Sequence, residues 1–555
     1  MKLTFKYLCC LLILFSSSKL RAQEDRQGVY FSKISSPPAS LPEWSSAKSL
    51  LPSPVFDEDT LLVETYWKAW ELAFKHFNNP SRGSGFISPF IDAAFNNNIF
   101  LWDTGFMTMF CNYGYPLVPG IGSLDNFYIK QHQDGEICRE IIRKTGDDYT
   151  PWVNTEGNKT LFSRGGYSIP EGQPQGKDII YVNRTAPVPA PLLTLDGLDH
   201  PILAWAEWES YLITGNKERL YRIWKPLLKY YEALDKYIRQ GNGLYMTDWA
   251  SMDNSKRNPF LKSGGTGIDI SSEMVLFDLK MADIASATGK TEQALQFRKK
   301  ASALSNLINQ KMWNDKQHFY MDLTVDGKQS GIKTVAGFWT LLAKVASPAQ
   351  AFQLLDQLKN PATFGTRNPV PTLAADEKGF SLTGNYWCGS VWAPTNTMVI
   401  RGLENYGYDE EAFEIAMKHI HLVAEVYKKT GTIWENYAPE SSTYGLHDDG
   451  SAVEKDFVGW SGIGPIMYFI EYAIGLKANA PKNEINWTIR SSRKSGCRNF
   501  RFNSRVATLL ASPVDQNSQK IKIQVETSGP FILKVKRNGL STTLAIQKGS
   551  NTFVL

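Results

Sequence analysis

The apolar residues of this chain repeat at two different periods, and the change of period divides it. Residues 217–239, KERLYRIWKPLLKYYEALDKYIR, carry Leu220, Ile223, Trp224, Leu227, Tyr231, Leu234 and Ile238 at three- and four-residue steps. That spacing puts one apolar stripe on a helix. Comparable stretches lie at 60–77, 104–112, 136–145, 199–214, 271–288, 290–314, 332–346, 348–359, 391–404, 408–428 and 460–475. They make roughly a dozen helices without a fixed-length repeat, which disfavours a solenoid of identical units. A double ring of helices, with its loops gathered around a cleft at one end, suits this pattern. From about 480 the step falls to two: KIKIQVET, FILKVKRNGLSTTLAI and NTFVL alternate apolar and polar residues, and Asn538–Gly539 is a hairpin signal. A small antiparallel β-module is expected there.

The two ends of the pattern set the domain plan. MKLTFKYLCCLLILFSSSKLRAQ opens with two lysines, runs apolar from Leu8 to Phe15 and reaches a small residue at Ala22. This reads as a secretory signal peptide, 1–22, because the apolar run is too short to span a bilayer. Residues 23–58, rich in Ser and Pro, read as an extended lead-in; 59–478 as the helical domain; 484–555 as a β-sandwich-like module. A secreted or periplasmic protein without membrane insertion is expected, with a monomer as the default.

Charge and cysteine content narrow the function classes. The chain of 555 residues has a formal net charge of +5, and the leader carries Lys2, Lys6, Lys19 and Arg21 with no acids. The remainder is close to neutral, which argues against a nucleic-acid surface. Cys111, Cys138, Cys388 and Cys497 lie outside the leader and show no metal-ligand spacing. One disulfide among them is compatible with the sequence; no metal and no cofactor are expected. The aromatic content of 16 Trp, 24 Tyr and 29 Phe suits either a large core or a sugar-stacking cleft.

Four stretches place acids among large apolar groups, a costly arrangement unless the acids have a use. They are FLWDTGFMTMF (100–110), KQHQDGEICRE (130–140), GLYMTDWASMDNS (243–255) and TIWENYAPESS (432–442). Asp103 before a helix and Asp253 before Asn254 and Ser255 also suit caps, and Asp134 before Gly135 suits a turn. Glu435, between Trp434 and Asn436, suits neither a turn nor an ordinary core. The chemistry that uses such a set is glycoside hydrolysis by two carboxylates. One keeps its proton in an apolar setting, here Asp253 beside Met252 and Trp249; the other is ionised and holds a water, here Glu435. Inversion needs the pair ~6.5–9.5 Å apart and retention ~5–5.5 Å.

WASMDNS with IWENYAPES, after LWDTGF, resembles the helical-barrel glycosidases of glycoside hydrolase family 63 and their mannosylglycerate-hydrolase and trehalase relatives, over roughly 90–475. The resemblance implies a mainly α fold, an (α/α)6 barrel with the small C-terminal antiparallel β-module appended, and inverting hydrolysis of α-glucosidic or α-mannosidic links. It implies Asp253 as general acid and Glu435 as general base. It implies Trp102 and Asp103 in the subsite beside the cut. GNYWCGSVWAPTN, 384–396, matches a family stretch that would bring Tyr386, Trp387 and Trp392 to the cleft. Gln133, Asp134, Trp249, Asn254 and Trp434 complete the expected carbohydrate contacts. The chain departs from the family at Ser251 and Lys256, and has Cys388 where Arg is frequent, which leaves the sugar open. A non-catalytic helical carbohydrate-binding protein and a polysaccharide lyase on a helical toroid are the competing readings.

Overall fold

The computed structural model describes residues 41–131, 135, 137–146, 148–149, 181–182, 199–246, 252–262, 265–515 and 520–555. Its principal helices are Thr60–Ala73 (α1), Leu101–Cys111 (α2), Leu203–Thr214 (α3), Lys217–Tyr237 (α4), Ile268–Ala287 (α5), Thr291–Met312 (α6), Trp339–Leu342 (α7), Pro348–Lys359 (α8), Ala393–Glu404 (α9), Asp409–Thr430 (α10) and Ile463–Ala473 (α11, wound in π form). The stripe read on α4 is the face it buries: Leu220, Ile223, Trp224, Leu227, Tyr231 and Leu234 are all buried. Local chemistry sets its start. Gly215 closes α3 with φ +64°, and the Asn216 side chain then accepts the Arg219 N–H at 3.0 Å.

Helices α2, α3, α5, α7, α9 and α11 are buried over most of their length, which marks interior helices. Each touches the next: α2 packs on α3, α3 on α5, α5 on α7, α7 on α9, α9 on α11 and α11 on α2. Outside them lie α1 against α10 and α11, α4 against α3 and α5, and α6 along α5. Gly402 lets α9 approach α7; a Cβ there would stand 2.7 Å from Leu341 Cβ. The helix expected at 136–145 does not form. Glu140–Ile141 is instead a strand paired with Ile99–Phe100. Three- and four-residue spacing over so short a run does not separate helix from strand, and pairing decided it.

The C-terminal module holds two sheets. One has the order Ser53–Phe56, Ser495–Phe502, Arg505–Pro513, Ile521–Thr527, Gly549–Val554; the other runs Leu476–Asn479, Glu484–Thr488, Phe531–Arg537, Leu540–Ile546. Ile521–Thr527 alternates buried and exposed residues as its sequence predicts. Arg537 pairs with Leu540 across a turn with Asn538 at φ +47° and Gly539 at φ +76°, the backbone twist a two-residue hairpin requires. Two expectations are corrected. The module is not wholly antiparallel, since Glu484–Thr488 runs parallel to Phe531–Arg537. It also begins before 484 and recruits Ser53–Phe56 from the lead-in. Trp487, fully buried, donates its indole N–H to the Ile474 carbonyl at 2.9 Å and fastens the module to the end of α11.

The interior helices share a polarity. Trp102, Asp269, Trp339, Trp392 and Trp460 stand at or just before the N-terminal ends of α2, α5, α7, α9 and α11. The C-terminal halves meet a cavity of about 470 Å³ lined by Tyr113, Ile213, Lys280, Arg401, Glu471 and Asn479.

At the N-terminal end, one buried side chain fixes the turn that carries Asp253. Arg257, 1% exposed, donates Nε to Asp322 at 2.9 Å and Nη2 to Asp269 at 3.1 Å, and a second contact with each carboxylate closes the clamp. Burial opposes ionisation of Asp269, yet the guanidinium holds its carboxyl down to about 2. Asn258 finishes the turn by donating its amide to the Met252 and Asp253 carbonyls, both at 2.8 Å. Replacing Arg257 by Ala strands two buried carboxylates. Arg257→Ala is expected to lower stability by about 3–5 kcal/mol in urea unfolding; a loss under about 1 kcal/mol would show that the clamp does not hold the turn.

Candidate active site

Glu435 sits in the loop after α10, 3% exposed. Its backbone N–H donates to the Glu454 carbonyl at 3.0 Å, and its own carbonyl accepts from Trp460 Nε1 at 3.2 Å and Ser461 Oγ at 3.0 Å. Oε1 accepts the Tyr386 hydroxyl at 2.9 Å, and the Glu454 N–H points at Oε2 from 3.4 Å. Burial pushes the carboxyl up to about 7; the Tyr386 hydrogen bond pulls it down and the charge of Asp253 adds to the rise.

Tyr386 reaches Glu435 from a contorted segment. Gly384, Asn385, Tyr386 and Gly389 all have positive φ, +42° at Asn385 and +57° at Tyr386. Two successive non-glycine residues in this region are strained and must be held. Asn254 holds them: its amide donates to the Asn385 carbonyl at 3.0 Å and its oxygen accepts the Trp387 N–H at 2.9 Å. The Cys388 thiol donates to the Asn254 carbonyl at 3.3 Å. The turn carrying Asp253 therefore also fixes the partner of Glu435.

Asp253 is exposed and lies within electrostatic reach of Glu435 and Tyr386. The buried, apolar setting is found at Glu435. Met252 is buried, and its sulfur lies 3.5 Å from Arg257 Nη1, so it packs into the clamp.

Aromatic rings form the wall. Trp387 stacks on Trp392, centroids 4.2 Å apart and planes at 10°. Trp102 stands 6.4 Å from Trp387 and 6.1 Å from Trp460. Asp103 lies in the first turn of α2 but does not cap it, since Asp199 accepts the Trp102 N–H at 2.9 Å. Burial, then the charge of Asp199, push Asp103 well above the usual carboxylate range. Its Oδ1 and Trp102 Nε1 are buried with no hydrogen-bond partner among the described residues, the condition of groups that await a ligand's hydroxyls. Behind Trp102, His200 Nδ1 meets Glu273 Oε1 at 2.6 Å. Burial opposes the charge of His200, but the carboxylate outweighs it and lifts the imidazole to about 9.

The structure thus gathers Asp253, Glu435, Trp102, Asp103, Tyr386 and Trp387. Trp392 does not line the cleft, being fully buried beneath Trp387. Asn254 is spent on the 385–387 backbone. Trp434 stacks on Tyr444 at 3.9 Å and donates its indole N–H to Thr430 at 3.0 Å. Gln133, Asp134 and Trp249 lie outside the described residues. Sequence reasoning missed Trp460, Asp199 and the Arg257 clamp. A Trp and an Asp immediately ahead of interior helices were the signals for the first two. The His447 ring packs on Tyr386 at 4.8 Å. Among the described residues no group of three or more His, Cys, Asp or Glu is arranged to hold a metal ion, and no helix is long and apolar enough to cross a membrane. Cys111, Cys138, Cys388 and Cys497 are buried thiols, with no disulfide among them.

Comparison with known proteins agrees with this geometry. Residues 198–460 match the family profile described as "Mannosylglycerate hydrolase MGH1-like glycoside hydrolase domain". An uncharacterized protein of Borreliella burgdorferi is 30% identical over 366 residues, which are 65% of this chain and 76% of that protein. The GH63 mannosylglycerate hydrolase of Thermus thermophilus, solved with Tris and D-glycerate, superposes with a TM-score of 0.52 at 16% identity, over 73% of this chain and 99% of that one. The GH78 rhamnosidase of a Bacillus species gives 0.54 at 14% identity, over 88% of this chain and 42% of that one. These two likenesses are of fold. By its matching domain the chain is a glycoside hydrolase whose residues 198–460 are of the MGH1-like, GH63 type.

Proposed function

We propose that the protein is an inverting exo-glycosidase acting on α-linked gluco- or manno-type glycosides, with Asp253 as general acid and Glu435 as general base. The observation that carries this reading is a pair of interacting carboxylates in opposed surroundings, one buried against Tyr386 and one open to solvent. Asp253 gives its proton to the glycosidic oxygen as the bond to the anomeric carbon breaks. Glu435 takes a proton from the water that attacks that carbon from the other face. Tyr386 donates to one oxygen of Glu435 and the Glu454 N–H to the other, whose second lone pair is available to the water.

The proton must be on Asp253 at that moment. An exposed carboxyl gains proton affinity when a bound sugar displaces its water. Trp102, Trp387 and Asp103 are read as the walls and hydroxyl contacts of the sugar site. The order of contacts among the interior helices supports an (α/α)6 barrel, and the lysine-led apolar leader supports an extracytoplasmic location.

Chemistry at the two acids separates their roles. Glu435→Gln is expected to lower kcat by about 10²–10⁴-fold on every substrate while sugar binding persists. Asp253→Asn is expected to lose as much on natural linkages yet stay within about tenfold on a glycosyl fluoride, whose leaving group needs no acid. Equal losses on the fluoride would reject the assignment. Proton NMR of the first-formed anomer is expected to show the β-product from an α-substrate; retained configuration would exclude inversion.

A base whose carboxyl titrates at about 7 in the free protein is protonated and idle below that pH. On a glycosyl fluoride, which needs no proton from Asp253, kcat/KM is therefore expected to rise as pH passes upward through about 7. Tyr386→Phe removes a hydrogen bond to the ionised form and is expected to move this limb up; Asp253→Asn removes a negative neighbour and is expected to move it down when followed on the fluoride. A limb that neither change displaces would rule out Glu435 as its origin.

A further inference from the structure

Phe95 is 43% exposed, in a domain that buries most of its large rings. Its ring stands 5.0 Å from Phe100, 6.1 Å from Phe457 with planes at 2°, and 6.0 Å from Trp460. Trp460 in turn touches Trp102 and holds the Glu435 carbonyl. The exposed ring therefore continues the aromatic wall of the cleft outward.

The loop is built to keep it there. Asp92 accepts the Ala94 N–H at 3.0 Å, the His76 ring nitrogen at 2.8 Å and the Arg143 guanidinium at 3.2 Å. Arg143 also donates to Asn97 at 3.1 Å, and Asn98 donates to Glu140 at 2.7 Å. Ala94 takes φ +70°, a conformation a β-carbon makes costly and which marks functional loops more often than packing. Asn96 and Asn97, which follow Phe95 in the chain, are exposed, and with their oxygens bonded to the Asn98 N–H and to Arg143 they have amide N–H groups to offer. An apolar face fringed by carboxamides matches a pyranose, which offers C–H groups on its face and hydroxyls around its edge.

We propose that Phe95 is a substrate-specificity residue: it stacks a second sugar unit next to the one being cleaved, so that the preferred substrates are oligosaccharides. This rests on the glycosidase reading above, but it concerns a residue outside the reacting set.

The test compares wild type with Phe95→Ala and Phe95→Trp on α-glucosyl and α-mannosyl fluoride and on α-linked gluco- and mannotrioses. Phe95→Ala is expected to lose about tenfold in kcat/KM on the triose, carried by KM, and to stay within about twofold on the fluoride, with Phe95→Trp restoring the triose. Equal loss on both substrates, or none on the triose, overturns the proposal. If wild type turns over none of them, the failure belongs to the glycosidase reading. Calorimetry of triose binding in the Glu435→Gln background then decides: weaker binding on adding Phe95→Ala supports the stacking role, while unchanged or undetectable binding overturns it.

Discussion

The guanidinium of Arg257 is buried between two carboxylates, and the arrangement of both candidate acids descends from it. Asp269 opens an interior helix and Asp322 follows a short strand, so the cation ties three separate segments together. The turn it fixes carries Asp253 directly. The same turn presents Asn254, which grips the backbone at 385 and 387 and stabilises the contorted segment that aims Tyr386 at Glu435. A buried ion pair is seldom a net source of stability compared with apolar packing. Its value here is geometric: one charge specifies the positions of groups far apart in the chain.

The second organising element is the shared direction of the interior helices. Their N-terminal ends carry Trp102, Asp103 and Asp269 and come just after Trp392 and Trp460. Helix N-termini are electropositive and favour nearby negative charge. Burial at Glu435 and Asp103 works in the opposite sense and dominates there. The raised carboxyls of Glu435 and Asp103 thus stand at the same end of the helices as Asp269, whose carboxyl Arg257 holds down.

How much of this was legible in the sequence depends on the range of the interaction. The helix at 217–237 was readable because its stripe is local and long, and the hairpin at Asn538–Gly539 because its turn chemistry is local. The strand at 140–141 was misread because pairing with Ile99–Phe100 overrode a weak period. At the site, short motifs pointed to Asp103, Asp253 and Glu435. The burial of each carboxyl could not be read, because it depends on what distant segments cover. Met252 illustrates the point: its side chain turns into the clamp, a contact that its neighbours in sequence do not announce.

The strand Ser53–Phe56 pairs with Ser495–Phe502, joining segments far apart in the sequence. Such a contact has very high sequence separation and must form late, since closing so long a loop costs entropy before any pairing rewards it. During synthesis the early strand emerges long before its partner exists, and the five-stranded sheet cannot be completed until Gly549–Val554 is available. A prematurely terminated chain would leave that sheet's edges bare, and unpaired edges template association between molecules.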